Sequence, residues 1–315
     1  MSVQERTTQI IAEVAKAISG QNELLQQVLI AALANGHILL EGVPGVGKTL
    51  LVRSLAYTLG LSYGRVQFTP DLMPSDVIGT RIFNSKTSEF ELRTGPIFVG
   101  MLLADEVNRT PPKTQAALLE AMEERTVTID RDCLQLPPPF LVFATQNPID
   151  FEGTYPLPEA QQDRFLLKVI VPYPAKNDEL DVLHKHNKGF KPQDLDAAGL
   201  RPILEPGELI QMQNQVLATI VEDKIFEYIY RLVLATRNSN DIMVGASPRA
   251  GIAMLNCAKA MAQMRGREFV IPDDVKELAL PVLRHRILLR PEAEVEGLSP
   301  DQVLTAMINA EIVPR

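Results

Sequence analysis

Residues 42–49, Gly42-Val43-Pro44-Gly45-Val46-Gly47-Lys48-Thr49, carry the strongest chemical signal in the chain. They match G-x-x-x-x-G-K-[ST], a loop whose backbone N–H groups close around phosphate oxygens. Glycine lets the backbone turn inward, and the positive end of the following helix, opened here by Leu50, adds to the same spot. At this spacing Lys48 would neutralise the β- and γ-phosphates and Thr49 would offer a hydroxyl to Mg²⁺. A second signal is FVGMLLADE, an apolar run that would deliver Asp105 and Glu106 beside the phosphates. Asp105 suits a Mg²⁺ ligand, direct or through water. Glu106 suits a base that polarises an attacking water, because alternation along a strand aims adjacent side chains at different ligands. A third run, FLVFATQN, ends in Asn147. Its amide could hydrogen-bond a γ-phosphate or orient water, and an Asn before Pro148 is equally at home in a turn. Arg164, in LPEAQQDRFLLKV, could simply pair with Asp163 or Glu159 at the surface.

These residues need a sheet to position them. Short apolar runs alternate with helical patterns through the first half, which predicts an α/β fold with a parallel sheet covered by helices. The expected strands are 37–41, 65–68, 98–106, 140–147 and 165–173, and the expected helices lie near 21–34, 48–59, 112–124 and 157–164. Strand signals stop after Tyr173, and residues 174–210 mix Pro, Lys, Asp and Gly with weak periodicity. The division expected is therefore a nucleotide-binding core over 1–175, a linker over 176–212 and a small all-α lid over 213–315. Within the lid, KIFEYIYRLVLATRN, SPRAGIAMLNCAKAMAQMRG and DDVKELALPVLRHRI read as amphipathic helices, with Ser247 and Pro272 as starts and Gly266 as a stop.

Composition sets the outer limits. A chain of 315 residues with 46% hydrophobic and 22% charged side chains can bury a core without disulfides, which excludes disorder as its main state. The two cysteines and four histidines show no metal-ligand spacing. No signal-peptide core or membrane-length apolar run is visible, so the expected location is the cytoplasm, with no membrane partner. A formal charge of −8 repels nucleic acid at long range.

The order of parts, with a helical C-terminal domain, resembles AAA+ ATPases. Within them the resemblance is to the MoxR family, through EGVPGVGKT, VQFTPDLMPSDVIGT, GPIFVGMLLADEVNR, LLEAMEERTVTI, ATQNPIDFEGTYPLPEAQQDRF and GASPRA. It implies ATP with Mg²⁺, Asn147 as sensor 1, Arg164 as an arginine finger given to a neighbouring subunit, and Arg249 as sensor 2. Gln21 would pass the adenine. Arg125 and Arg109 are rival donors in trans, and Arg249 could instead pair with an acidic neighbour. The resemblance further implies a homo-oligomeric ring, most simply a hexamer, and a partner protein with a von Willebrand factor A domain. It makes two predicted hairpins, about 77–95 and 125–138, the helix-2 insert and pre-sensor-1 hairpin. Phe83 and Phe90, aromatics in a polar excursion, are expected to touch a client protein rather than each other.

Three functional classes compete. An ATP-driven machine acting on proteins uses every motif. A nucleic-acid motor is disfavoured by the net charge, the lack of Trp and the absence of interleaved basic and aromatic residues. An ATP-gated scaffold without turnover would have no need of Glu106.

Overall fold

In the computed structural model, which describes residues 1–148 and 154–314, the sheet and its helices follow one another along the chain. Residues 149–153, inside the stretch ATQNPIDFEGTYPLPEAQQDRF, lie outside the described residues. The elements are α1 (Val3–Val14), α2 (Asn22–Leu33), β1 (Ile38–Glu41), α3 (Lys48–Thr58), β2 (Tyr63–Gln67), α4 (Pro74–Ile78), β3 (Gly79–Asn84), β4 (Glu89–Thr94) and β5 (Met101–Asp105). A 3₁₀ turn, Val107–Arg109, leads to α5 (Pro112–Glu124), β6 (Thr126–Ile129), β7 (Asp132–Gln135), β8 (Leu141–Gln146), α6 (Glu159–Gln162) and β9 (Leu167–Ile170). The remainder comprises α7 (Lys176–Asn187), α8 (Glu208–Leu217), α9 (Asp223–Asn238), β10 (Ile242–Val244), α10 (Pro248–Met264), α11 (Pro272–Leu283), β11 (Leu288–Leu289), α12 (Pro291–Val295) and α13 (Pro300–Ala310).

The five apolar runs all form strands in one parallel sheet of order β2-β5-β8-β1-β9, four of them trimmed to their hydrogen-bonded centres and the one expected over 65–68 shifted to Tyr63–Gln67. Alternation sends Ile38, Leu40, Met101, Leu103, Leu141 and Phe143 to one face and Leu39, Leu102, Ala104, Val142 and Ala144 to the other. Both faces are buried, which is why the runs are continuously apolar. The first of these cores continues without a break into the C-terminal helices through Tyr228, Leu232, Met254 and Leu278. Ser247 caps α10, its hydroxyl accepting from the Arg249 N–H, and Pro272 opens α11.

Three expectations about elements need correction, and one helix was not expected at all. Residues 174–210 are not plain linker: α7 fills 176–187, although it buries none of its side chains, and α8 begins at Glu208. The apolar residues of α7 lie without amphipathic spacing, so the pattern gave no signal. Strands do recur after Tyr173, as the short antiparallel pair β10–β11. The helix expected over 157–164 shrinks to Glu159–Gln162. Helix α1 went unanticipated, although Ser2 and Glu5 form a capping box that marks its start.

Both hairpins form, β3–β4 and β6–β7, and Arg81 ties the first to Asp132 of the second. Gly79 (φ 104°) and Gly95 meet at the base of the first, where a Cβ on Gly95 would collide with the Val77 carbonyl. Phe83 and Phe90 are cross-strand partners, packed edge to face at 5.3 Å. They do touch each other, contrary to expectation, because alternation puts both on one face of the ribbon; both also stay more than half exposed.

Two buried histidines make stability depend on pH. The Val142 N–H donates to Nδ1 of His37 and its Nε2–H donates to the Met122 carbonyl, each at 3.0 Å. Burial, reinforced by the Arg125 charge, pushes its pKa down to about 3. Burial and then Arg286 hold His285 well below its ordinary value too. Both stay neutral when folded, whereas the unfolded chain protonates them below about 6.5. The stabilisation is complete above that value and declines as pH falls toward the folded pKa. The urea midpoint should therefore drop steadily from pH 7 to pH 5, above most carboxylate titration; a flat midpoint over that interval contradicts the account.

Candidate active site

The loop after β1 and the C-terminal ends of β5 and β8 meet at one edge of the sheet, where parallel α/β sheets place ligands. There they enclose a cleft of about 600 Å³ whose lining includes Pro44, Gly45, Gly47, Lys48, Thr49, Leu50, Asp105, Glu106 and Asn147. Gly45 and Gly47 adopt left-handed φ of 87° and 86°, with open space where a Cβ would stand. That is a cradle for a ligand that must approach the backbone closely. The Lys48 ammonium is half-buried and folds onto its own loop, donating to the carbonyls of Gly42 and, at 3.2 Å, Val43. Burial lowers its pKa, against the pull of Asp105, Glu106 and Glu41. Gly42, Val43 and Val46 do not line the cleft. Gly42 instead packs against the Val171 backbone, and Val46 is buried with its carbonyl accepting from Gln21 at 3.4 Å. Gln21 lines a neighbouring cavity of about 400 Å³ together with Tyr173 and Arg284.

The two acidic residues are fixed by different partners. Thr145 donates its hydroxyl proton to Asp105 Oδ1 at 2.6 Å and accepts the Glu106 N–H at 2.8 Å. On the other side, Arg65 donates to Asp105 Oδ2 through Nη2 (2.7 Å) and Nε (3.2 Å). Glu106 stands in the left-handed region at φ 57°, a conformation costing a non-glycine residue about 1–2 kcal/mol and typical of functional turns. Its carboxylate accepts from the Gln67 side-chain amide at 2.8 Å and pairs with Arg109 at 3.2 Å. The Thr49 hydroxyl and the Asp105 carboxylate are hard oxygen donors of the kind Mg²⁺ takes. Asn147 is buried at the cleft wall.

Neither Arg164 nor Arg249 lines this cleft. They converge from β9's entry loop and from α10 on the two oxygens of Glu123, at 3.1 Å and 2.5 Å. The adjacent Asp163 accepts from Ser247 and from Arg286, locking the C-terminal helices to the segment that bears Arg164. Arg125 is committed internally, donating to the Phe140 and Asn35 carbonyls.

Comparison with known proteins places this geometry. Residues 37–167 match the family model of the ATPase family associated with various cellular activities (AAA), and residues 234–307 match the AAA lid domain. The chain is 43% identical to the Chaperone MoxR1 of Mycobacterium tuberculosis, over 97% of this chain and 81% of that one. It is 34% identical to Protein MoxR of Paracoccus denitrificans, over 90% and 89%. It belongs to the MoxR family of AAA+ ATPases. A crystal structure of a candidate ATPase from Cytophaga hutchinsonii, 42% identical, superposes with a TM-score of 0.91 over 99% of this chain and 96% of that one. Within this MoxR-family ATPase, six residues of the cleft went unread in the sequence: Arg53, Arg65, Gln67, Thr145, Pro192 and Gln193. For three of them the signal was period two. Arg65 and Gln67 alternate with buried Val66 and Phe68, and Thr145 shares a strand face with Asn147. Glu123 had no such signal, because it meets its partners only through tertiary packing.

Proposed function

We propose that this chain is a Mg²⁺-dependent ATP hydrolase that works as a homo-oligomeric ring, most simply a hexamer, in the cytoplasm. It converts hydrolysis into remodelling, maturation or activation of a partner protein, of the kind that carries a von Willebrand factor A domain. Residues 1–175 form its nucleotide core, 176–212 the connection and 213–315 the lid. The observation that carries this reading is a separation. Lys48, Thr49, Asp105, Glu106 and Asn147 share one cleft, while Arg164 and Arg249 sit together outside it.

Within a subunit, the loop amides and Lys48 hold the phosphates, Thr49 and Asp105 hold the metal, Glu106 takes the proton of the attacking water, and Asn147 orients that water. Mg²⁺ held by Thr49 and Asp105 would supply positive charge against the charge that develops on the phosphates. Gln21, which donates to the Val46 carbonyl of the loop, would pass the adenine base. Arg164 and Arg249 reach the phosphates of an adjacent subunit, and Arg125, held by two carbonyls, does not compete for that role. Turnover per subunit should therefore rise with protein concentration and reach a plateau as rings form, tracked in parallel by sedimentation. A rate per subunit independent of concentration, in protein that sediments as a monomer, would refute assembly as a condition for turnover.

A further inference from the structure

Arg65 is a strongly engaged cation of the cleft that the proposed chemistry leaves without a task. It stands on the edge strand β2, two residues before Gln67, and both side chains face the ends of β5 and β8. Its guanidinium places two donors, Nη2 and Nε, on a single oxygen of Asp105, Oδ2. The other oxygen, Oδ1, is taken by the Thr145 hydroxyl, so both oxygens of this nearly buried carboxylate are engaged. Nη2 also donates to Gln67 Oε1 at 2.9 Å.

We propose that Arg65 is a resident counter-ion of Asp105 that Mg²⁺ replaces on nucleotide binding, so that this edge-strand arginine sets the metal requirement of the site. The inference rests on the reading of Asp105 as the metal-side carboxylate. A buried carboxylate without a cation is costly, and Arg65 removes that cost in the nucleotide-free subunit. A divalent ion seeking the same oxygen meets a guanidinium already there, and the two cations repel each other at that range. Arg65 side-chain exposure of 48% gives it room to move, and Gln67 offers a second acceptor once Asp105 is released. Thr145 keeps the carboxylate aimed throughout, since its bond is to the opposite oxygen. Arg65 is in this sense a positioning residue: it acts through Asp105.

The test is a Mg²⁺ titration of the full-length protein with a fluorescent, non-hydrolysable ATP analogue, read by anisotropy so that turnover plays no part. Arg65→Gln should lower the half-saturating Mg²⁺ concentration about 3–10-fold, the range expected for loss of one charge-assisted pair in a solvent-reachable cleft. Arg65→Lys, which keeps the charge but loses the fork, should fall between Arg65→Gln and wild type. Asp105→Asn should raise the Mg²⁺ requirement and, combined with Arg65→Gln, abolish the difference that the arginine substitution makes alone. A requirement unchanged or raised in Arg65→Gln, with Asp105→Asn behaving as stated, overturns the role of Arg65 and leaves Asp105 as metal ligand intact. If Asp105→Asn leaves the requirement where it was, the metal assignment of Asp105 itself is wrong, and the inference falls with it.

Discussion

Replacing Glu106 with Gln should reduce ATP turnover by about 10²–10⁴ while nucleotide affinity stays within a few-fold of wild type. The size follows from the position of the carboxylate. Glu106 projects from a left-handed turn at the end of β5, its N–H fixed by Thr145 and its side chain held by Gln67 and Arg109. Gln is isosteric and can still accept from Gln67, so the turn and the cleft survive. What disappears is the ability to take a proton from water, which does not bear on the phosphate cradle of Gly45, Gly47 and Lys48. A loss of 100-fold alone corresponds to about 2.7 kcal/mol of transition-state stabilisation. The measurements are steady-state phosphate release and analogue affinity on the same preparation. Turnover within ten-fold of wild type would remove Glu106 as the base, and a parallel collapse of affinity would point to a damaged cleft instead.

The sequence made the chemistry of single motifs visible far better than their relations. The phosphate loop is local: glycines and a lysine at fixed spacing imply the cradle, and Gly45 and Gly47 take the left-handed angles it needs. The sheet is nearly as legible, because two buried faces impose continuous apolar runs. Two kinds of feature escaped. Helix α7 lies on the surface with no buried side chain, so nothing forces an apolar period on it. The second kind is partnership across the fold. Arg65 is 40 residues from Asp105, and Glu123 is 126 residues from Arg249. No periodicity links such pairs, because only the packing of β2 beside β5, and of α10 beside α5's end, brings them together. Phe83 and Phe90 fall between these cases. Their facing across a hairpin could be counted from the turn, and the count was what the expectation of separate roles lacked.

Arg164→Ala should lower turnover by about 10³–10⁵ in a preparation that still binds nucleotide, since an arginine meeting the transferred phosphoryl group is worth that much. The loss alone does not say which subunit the arginine serves. Mixing does. Arg164→Ala subunits keep Glu106 and lack the arginine; Glu106→Gln subunits keep the arginine and lack the base. If Arg164 acts across an interface, an equimolar mixture regains activity, because an intact cleft can face an intact arginine. With random incorporation into a ring, half the subunits carry a competent cleft and half their neighbours a competent arginine, so about one quarter of the wild-type rate per subunit returns. If Arg164 acts within its own subunit, the mixture stays as inactive as its components. The geometry favours recovery. Arg164 is held away from its own cleft by Glu123, and the segment carrying it is anchored by Asp163 to Ser247 and Arg286, so it cannot swing back without breaking the attachment of the C-terminal helices. An arginine tethered in that way is expected to meet a phosphate of an adjacent subunit rather than one in its own cleft.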